Sequence, residues 1–342
     1  MRAVLVERPG AVRVVDLPVA EPGRGEVLVR VGAAGICGSD VELLEGTRAP
    51  EYVRYPVVPG HEWAGTVAAV GPGVDGVRAG DLVVAEGIRP CGLCDRCREG
   101  RTNLCEADYA ETGFTHPGGF AEYVVVPAAL AHVLPDGSDL EAAALLEPAA
   151  CVANGLLAAG VRPGVSAAVV GSGTLGLLAV ALIAVASPSR LALAGTRGPR
   201  LALARDLGAT EVVDVGERDP VEALGSGFDL VFEAATRPDA ASTAIALARR
   251  GGTVVLEGLT GDPGANLSSE EIALKHLTVH GIFGASHEAW QWVVSLFASG
   301  RFDPRPLVTH RFPLERHADA FATLRARDSG AVKVELLPAG AA

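Results

Sequence analysis

No stretch of this 342-residue sequence approaches the ~18 uninterrupted apolar residues that a membrane span needs. The opening MRAVLVERPG has no apolar signal-peptide core. No membrane partner is expected, and the expected compartment is the reducing cytosol. Aromatic residues are only 5% of the chain, no basic run occurs, and 29 Lys and Arg stand against 41 Asp and Glu for a formal charge of −12. An electrostatic footprint for nucleic acid or an anionic lipid surface is missing, so small molecules are the expected partners. No internal repeat recurs at a fixed period, and the 42 glycines and 22 prolines are spread along the chain instead of forming a low-complexity tract. The chain has many turns and is long enough for two domains with their own cores, which makes a disulfide framework unnecessary.

Four of the six cysteines nevertheless fall within fifteen residues, CGLCDRCREGRTNLC, as Cys91, Cys94, Cys97 and Cys105. In a reducing compartment such clusters are more often metal ligands than disulfides. A CxxCxxC knuckle wraps one tetrahedral ion, and Cys105 closes the fourth vertex after a loop. An iron–sulfur cluster, a redox CxxC pair and an accidental cluster are the alternatives. Structural zinc is preferred, and a four-sulfur site is coordinatively closed, so the chemistry belongs elsewhere.

The chain has two textures. Up to about residue 150, short runs such as VRVVDLP, EVLVRVGAAG, GTVAAVG, GDLVVAEG and AEYVVVP lie between Gly, Pro and Asp breaks, as in an irregular antiparallel barrel. From about 151, strand-like runs alternate with helix-length stretches: SAAVVG then TLGLLAVALIAVAS, RLALAG then PRLALARDLGA, DLVFEA then ASTAIALARRGG, then TVVLEG. That alternation predicts a doubly wound parallel sheet of α/β class. After about 288 the texture is mixed, as if the tail returned to the first domain.

At the first strand–helix junction stands GSGTLG: Gly171, Ser172, Gly173, Thr174, Leu175 and Gly176. Glycines there let the backbone turn tightly and approach a pyrophosphate, while the helix start offers free N–H groups. The end of the next strand normally carries an acid for the adenosine ribose. Here it reads GTRGPR, with Gly195 in the acidic position, Thr196 beside it, and Arg197 and Arg200 nearby. A carboxylate would repel a 2′-phosphate and an arginine would welcome it, so NADP is favoured over NAD.

A hydride cofactor needs a partner that polarises the substrate. ICGSD (Cys37, Ser39, Asp40), PGHEWAG (His61, Glu62) and LLEPAAC (Glu147) together supply the sulfur, imidazole and carboxylate of an open catalytic zinc site. CGSD, the PGHEWAGTVAAVG run, the four-cysteine segment, LLEP and GSGTLG, in this order, resemble the zinc-dependent medium-chain dehydrogenase/reductase family along essentially the whole chain. The resemblance implies a GroES-like catalytic domain from both chain ends, residues 1–150 and 288–342, and a Rossmann domain over 151–287. It implies that Cys37 and His61 bind the catalytic zinc, with Glu62 or Glu147 as third ligand, and that Asp40 orients His61. Ser39 would take the proton of a substrate hydroxyl acidified by zinc while hydride passes to the nicotinamide. Glu42 stands where relatives often carry a relaying histidine, so either Glu42 or water carries the proton out. Cys151 matches no ligand and is expected to be a small buried core residue.

LLEP and CGSDVE resemble polyol, sugar, threonine and aminocyclitol dehydrogenases more than ethanol-type enzymes. The expected substrate is a secondary alcohol on a polyol, sugar or cyclitol, with a less polar specialised-metabolism alcohol or ketone as the alternative. Phe114, His116, Phe283 and His287 could line the pocket, although a packing or surface role is the preferred reading of each. A non-catalytic relative of the fold would lack the metal ligands or the glycine turn, and both are present. A homodimer or homotetramer is expected.

Overall fold

EVLVRVGAAG forms the strand Glu26–Gly35, with Val27, Val29 and Val31 turned into one apolar core. It sits inside a seven-stranded sheet that runs Val308–Pro313, Lys333–Leu337, Glu26–Gly35, Glu62–Val70, Leu82–Ala85, Ala131–Leu134, and Tyr123–Pro127 also pairs with Glu26–Gly35. All pairings are antiparallel except the first. Trp63, Val67, Phe120, Val124, Val334 and Leu336 complete the core that this sheet encloses. The register matters for function, because Gly35 pairs with Glu62. Cys37 follows the end of one strand and His61 precedes the start of the other, so this pairing draws them together.

This computed structural model describes residues 1–196, 198–259, 267–326 and 329–338. The chain divides into two units: Met1–Glu147 with Ser286–Ser299 and Asp303–Ala342, and Pro148–Ala285 with Gly300–Phe302. In the second unit six parallel strands run Glu211–Asp214, Arg190–Gly195, Ser166–Val170, Phe228–Glu233, Ala248–Leu256, Thr278–Gly281. The order reverses beside Ser166–Val170, the switch point at which open parallel sheets take their ligands. Helix Thr174–Val185 follows that strand and is apolar nearly all round because it is almost wholly buried.

Two expectations are corrected. ASTAIALARRGG reads as one helix-length run, but the helix is Ala240–Leu247 and the strand begins at Ala248. Ala248 pairs with Phe228, so tertiary pairing overrides the helix propensity of Ala and Arg. Cys151, expected in the core, is only half-buried on helix Leu146–Ala158.

Candidate metal centres and dinucleotide turn

The cysteine lobe is built from two short helical turns, Asp95–Arg98 capped by Cys94 and Thr102–Leu104 ending at Cys105. Its four sulfurs all lie within 4.8 Å of one another. Cys91 Sγ and Cys97 Sγ are 3.9 Å apart. A disulfide needs about 2.05 Å, whereas a tetrahedron with Zn–S arms of about 2.3 Å has edges of about 3.8 Å. Backbone amides already serve the sulfurs: Leu93 and Cys94 N–H donate to Cys91 Sγ, Glu106 N–H to Cys94 Sγ, and Cys91 N–H to Cys105 Sγ. The Leu93 and Cys94 amides hold the Cys91 thiol down at about 6, while burial pushes Cys97 up to about 12. The site fits a tetrahedral thiophilic ion.

In the first unit Cys37, His61 and Glu62 also present ligand atoms within 4.8 Å of one another. Cys37 is the N-cap of helix Gly38–Glu45, and its N–H donates to Asp40 Oδ2 at 2.9 Å. The other Asp40 oxygen, Oδ1, faces His61 Nδ1 at 3.6 Å, and both atoms are buried without a hydrogen-bond partner. That contact leaves Nε2 as the ring atom for an ion. Burial pushes the His61 imidazolium down, but the Asp40 carboxylate outweighs it and holds the group well above its ordinary value. Cys37, Asp40, Glu62, Glu111 and Glu147 all act on this region, against Lys333 and Arg48. The surplus of acidic groups fits a divalent cation.

Glu147 opens helix Leu146–Ala158 and lies outside the three-atom set, though burial pushes its carboxyl up to about 8 and His61 and Glu62 act on it. Ser39 is half-buried on the first turn of Gly38–Glu45. Glu42, one turn further along, is exposed and stands 4.0 Å from Arg48. Among the candidate pocket residues, Phe114 is buried against His61, with ring centroids 4.8 Å apart, and His116 Nδ1 lies 3.1 Å from Thr115 Oγ1. Phe283 is exposed in the second unit, and His287 pairs with Glu86.

In the second unit the glycine turn joins Ser166–Val170 to Thr174–Val185, with Gly173 as N-cap and Thr174 and Leu175 in the first turn. Gly171 has φ 118°, and a Cβ on Gly176 would lie 2.0 Å from the Gly171 carbonyl oxygen. Only glycine allows this close approach, and the cradle it leaves fits a pyrophosphate. Gly195 ends its strand, and Ser172 Oγ both donates to Thr196 O and accepts from Thr196 N–H. A Cβ on Gly195 would fall 2.5 Å from Ser172 Cβ. Arg200 is half-buried in helix Gly198–Asp206, and Arg197 lies outside the described residues.

Comparisons with known proteins agree with this geometry. Residues 23–136 match the family model of the alcohol dehydrogenase GroES-like domain, and residues 174–299 match that of the zinc-binding dehydrogenases. The chain is 36% identical over 330 residues to an L-threonine 3-dehydrogenase of Bacillus velezensis, covering 94% of each chain. It is 32% identical to a sorbitol dehydrogenase of Bacillus subtilis, covering 99% of this chain and 97% of that one. A crystal structure from Sinorhizobium meliloti 1021, described as a zinc-binding dehydrogenase bound to NADP, superposes with a TM-score of 0.92 at 32% identity, covering 98% of this chain and 99% of that one. The chain belongs to the zinc-dependent medium-chain alcohol and polyol dehydrogenase family. It is an oxidoreductase of α/β class, with a GroES-like domain and a Rossmann-type parallel sheet, that uses zinc, a nicotinamide cofactor and a small-molecule substrate. Among the described residues of this dehydrogenase, no helix is long and apolar enough to cross a membrane.

Sequence reasoning missed three groups around Cys37, His61 and Glu62. Lys333 Nζ donates to Glu62 Oε2 at 2.5 Å and to the Ile36 carbonyl at 3.3 Å. The available signal was a pair of charged residues, Lys333 and Glu335, in the short strand KVELL, all of it buried. Arg48 lies over the Phe114 ring at 3.8 Å and 3.6 Å from the buried Glu111, whose carboxyl is pushed up by burial. Nothing local marks either residue.

Proposed function

We propose that this dehydrogenase oxidises a secondary alcohol on a polyol, sugar or cyclitol, or runs the reverse reduction, with NADP favoured over NAD. The observation that carries the reading is the convergence of Cys37, His61 and Glu62 on one buried point, steadied by Asp40. Those three side chains would hold the catalytic zinc, with Glu62 preferred over Glu147 because its ligand atom falls within the set. Cys91, Cys94, Cys97 and Cys105 would hold a structural zinc.

Bound zinc would supply Lewis acidity and the nicotinamide a hydride acceptor. Asp40 fixes the Cys37 backbone and faces the His61 ring, so it orients two ligands at once. Ser39 takes the proton of the substrate hydroxyl. Glu42 lies three residues on, on the same side of the helix, and passes the proton to water. The GSGTLG turn receives the pyrophosphate, and Gly195 places no carboxylate against a 2′-phosphate. The pair Arg48 and Glu111, near Phe114 and His61, supports a hydroxyl-rich substrate over an apolar one, because buried charges favour ligands that hydrogen-bond.

The test is reduction of NADP or NAD followed at about 340 nm, the nicotinamide's signature, with a panel of polyols, sugars, cyclitols, L-threonine and simple secondary alcohols. Turnover confined to apolar alcohols would reject the substrate class. Turnover of polyols with NAD alone would reject only the cofactor preference. Light scattering tests the proposed dimer or tetramer.

A further inference from the structure

A third convergent cluster lies in the first unit, and it shares no residue with the two metal-ligand sets above. Glu86 follows strand Leu82–Ala85, His132 lies on its partner Ala131–Leu134, and His287 opens helix His287–Ala298. Their ligand atoms all lie within 4.8 Å of one another. We propose that Glu86, His132 and His287 form a further metal site, for a divalent transition ion of the zinc class.

Both imidazoles aim at the same carboxylate oxygen: His287 Nδ1 is 2.5 Å and His132 Nε2 is 3.1 Å from Glu86 Oε1. Glu86 is only 4% exposed. Two nitrogens and one carboxylate oxygen are the donor set that zinc and its neighbours in the first transition row accept, whereas magnesium and calcium prefer all-oxygen sets. Metal arms of about 2.0–2.2 Å put neighbouring ligand atoms about 3.3–3.6 Å apart. The His132 contact is already close to that, and a withdrawal of His287 by about 1 Å makes room for the ion.

The rings are held for the purpose. His132 stacks on Trp290 with centroids 5.4 Å apart and planes 8° from parallel, and its strand position is fixed by pairing with Val84. Gln291 Nε2 lies 2.8 Å from His287 Nε2. If the amide turns over, its oxygen accepts the N–H that a ligating His287 carries there, the outer partner that metal-bound histidines use. The His287 side chain is 45% exposed, so the ion has an entry path and a position open to water. Ligation would tie the helix His287–Ala298 to the strands Leu82–Ala85 and Ala131–Leu134.

Purified dehydrogenase, dialysed against cobalt(II) and then freed of unbound ion, tests this by elemental analysis and absorption. Wild type should hold one metal ion per chain more than the His132→Phe/His287→Phe variant, which keeps both rings packed but removes both nitrogens. Glu86→Gln should lose the same equivalent. The difference spectrum should show d–d bands without sulfur-to-cobalt charge transfer, which separates this site from both cysteine-containing ones. Equal metal content in wild type and the double variant, or an extra equivalent with a thiolate band, would overturn the proposal. A double variant that fails to fold leaves Glu86→Gln to decide by the same two readouts.

Discussion

Lys333 reaches Glu62 across Gly35, placing Nζ 2.5 Å from Oε2. A Cβ on Gly35 would sit 2.2 Å from that oxygen and 3.2 Å from Lys333 Cδ, so the glycine is what lets the two side chains meet. Both are almost fully buried. Lys333→Met strands the Glu62 carboxylate and should cost about 3–5 kcal/mol in chelator-treated protein, the usual cost of a broken buried pair. In zinc-loaded protein the loss should be smaller, because an ion on Glu62 supplies the missing charge. Denaturant titration of both forms measures it, and equal losses would mean that Glu62 does not bind the ion.

The cysteine lobe makes a separate prediction. Cys94→Ser should remove one zinc per chain and lower the thermal midpoint, because a closed site contributes folding free energy. Turnover per folded molecule should persist. A variant that stayed equally stable and kept its other zinc but lost turnover would show that the lobe is not structural.

Cofactor choice needs two substitutions. Gly195→Asp alone brings its Cβ against Ser172, so it should weaken both dinucleotides and lower stability. Ser172→Gly/Gly195→Asp clears that space, and fluorescence titration should show preference moving toward NAD by about 10–100-fold, the value of a charge-assisted contact. An unchanged ratio would place the 2′-position away from residue 195.

Ser39→Ala should leave zinc and dinucleotide binding intact and slow alcohol oxidation about 100-fold or more, a typical contribution of a positioned proton acceptor. Glu42→Gln should slow turnover by less, with partial rescue by added buffer bases. If its rate and pH profile match wild type, Glu42 is a solvated partner of Arg48 only, and water carries the proton from Ser39.

Glu335 is wholly buried with neither carboxylate oxygen hydrogen-bonded, and burial pushes it up to about 9. The unfolded group titrates near about 4.3. Between those values the folded chain keeps a proton that the unfolded chain releases, so this group's contribution to stability falls as pH rises. Glu335→Gln should therefore raise stability more at pH 8 than at pH 5, by denaturant titration at both. A variant whose gain is the same at both would place the charge elsewhere.

How much of this was legible follows from how far apart the partners lie in sequence. Cys91 to Cys105 and GSGTLG are local, and their spacing encodes the geometry they adopt. The parallel sheet was legible as alternation, though the helix ending at Leu247 was not, because ALARR favours a helix until pairing with Phe228 decides otherwise. Arg48 and Glu111 were silent, and Lys333 showed only as a charged residue in the short strand KVELL. Each acquires meaning only through a register or loop that brings it beside Glu62, His61 or Phe114. The choice between Glu62 and Glu147 was likewise undecidable from motif alone, and Cys151 showed that a small apolar residue type does not guarantee burial.

The catalytic reading rests most directly on His61. Elemental zinc and nicotinamide-linked alcohol turnover should be measured together on wild type and His61→Ala, each confirmed folded. The expected result is one zinc fewer per chain in His61→Ala, with the lobe zinc retained and turnover lost. An unchanged zinc content together with undiminished turnover would contradict a catalytic ion held by Cys37, His61 and Glu62.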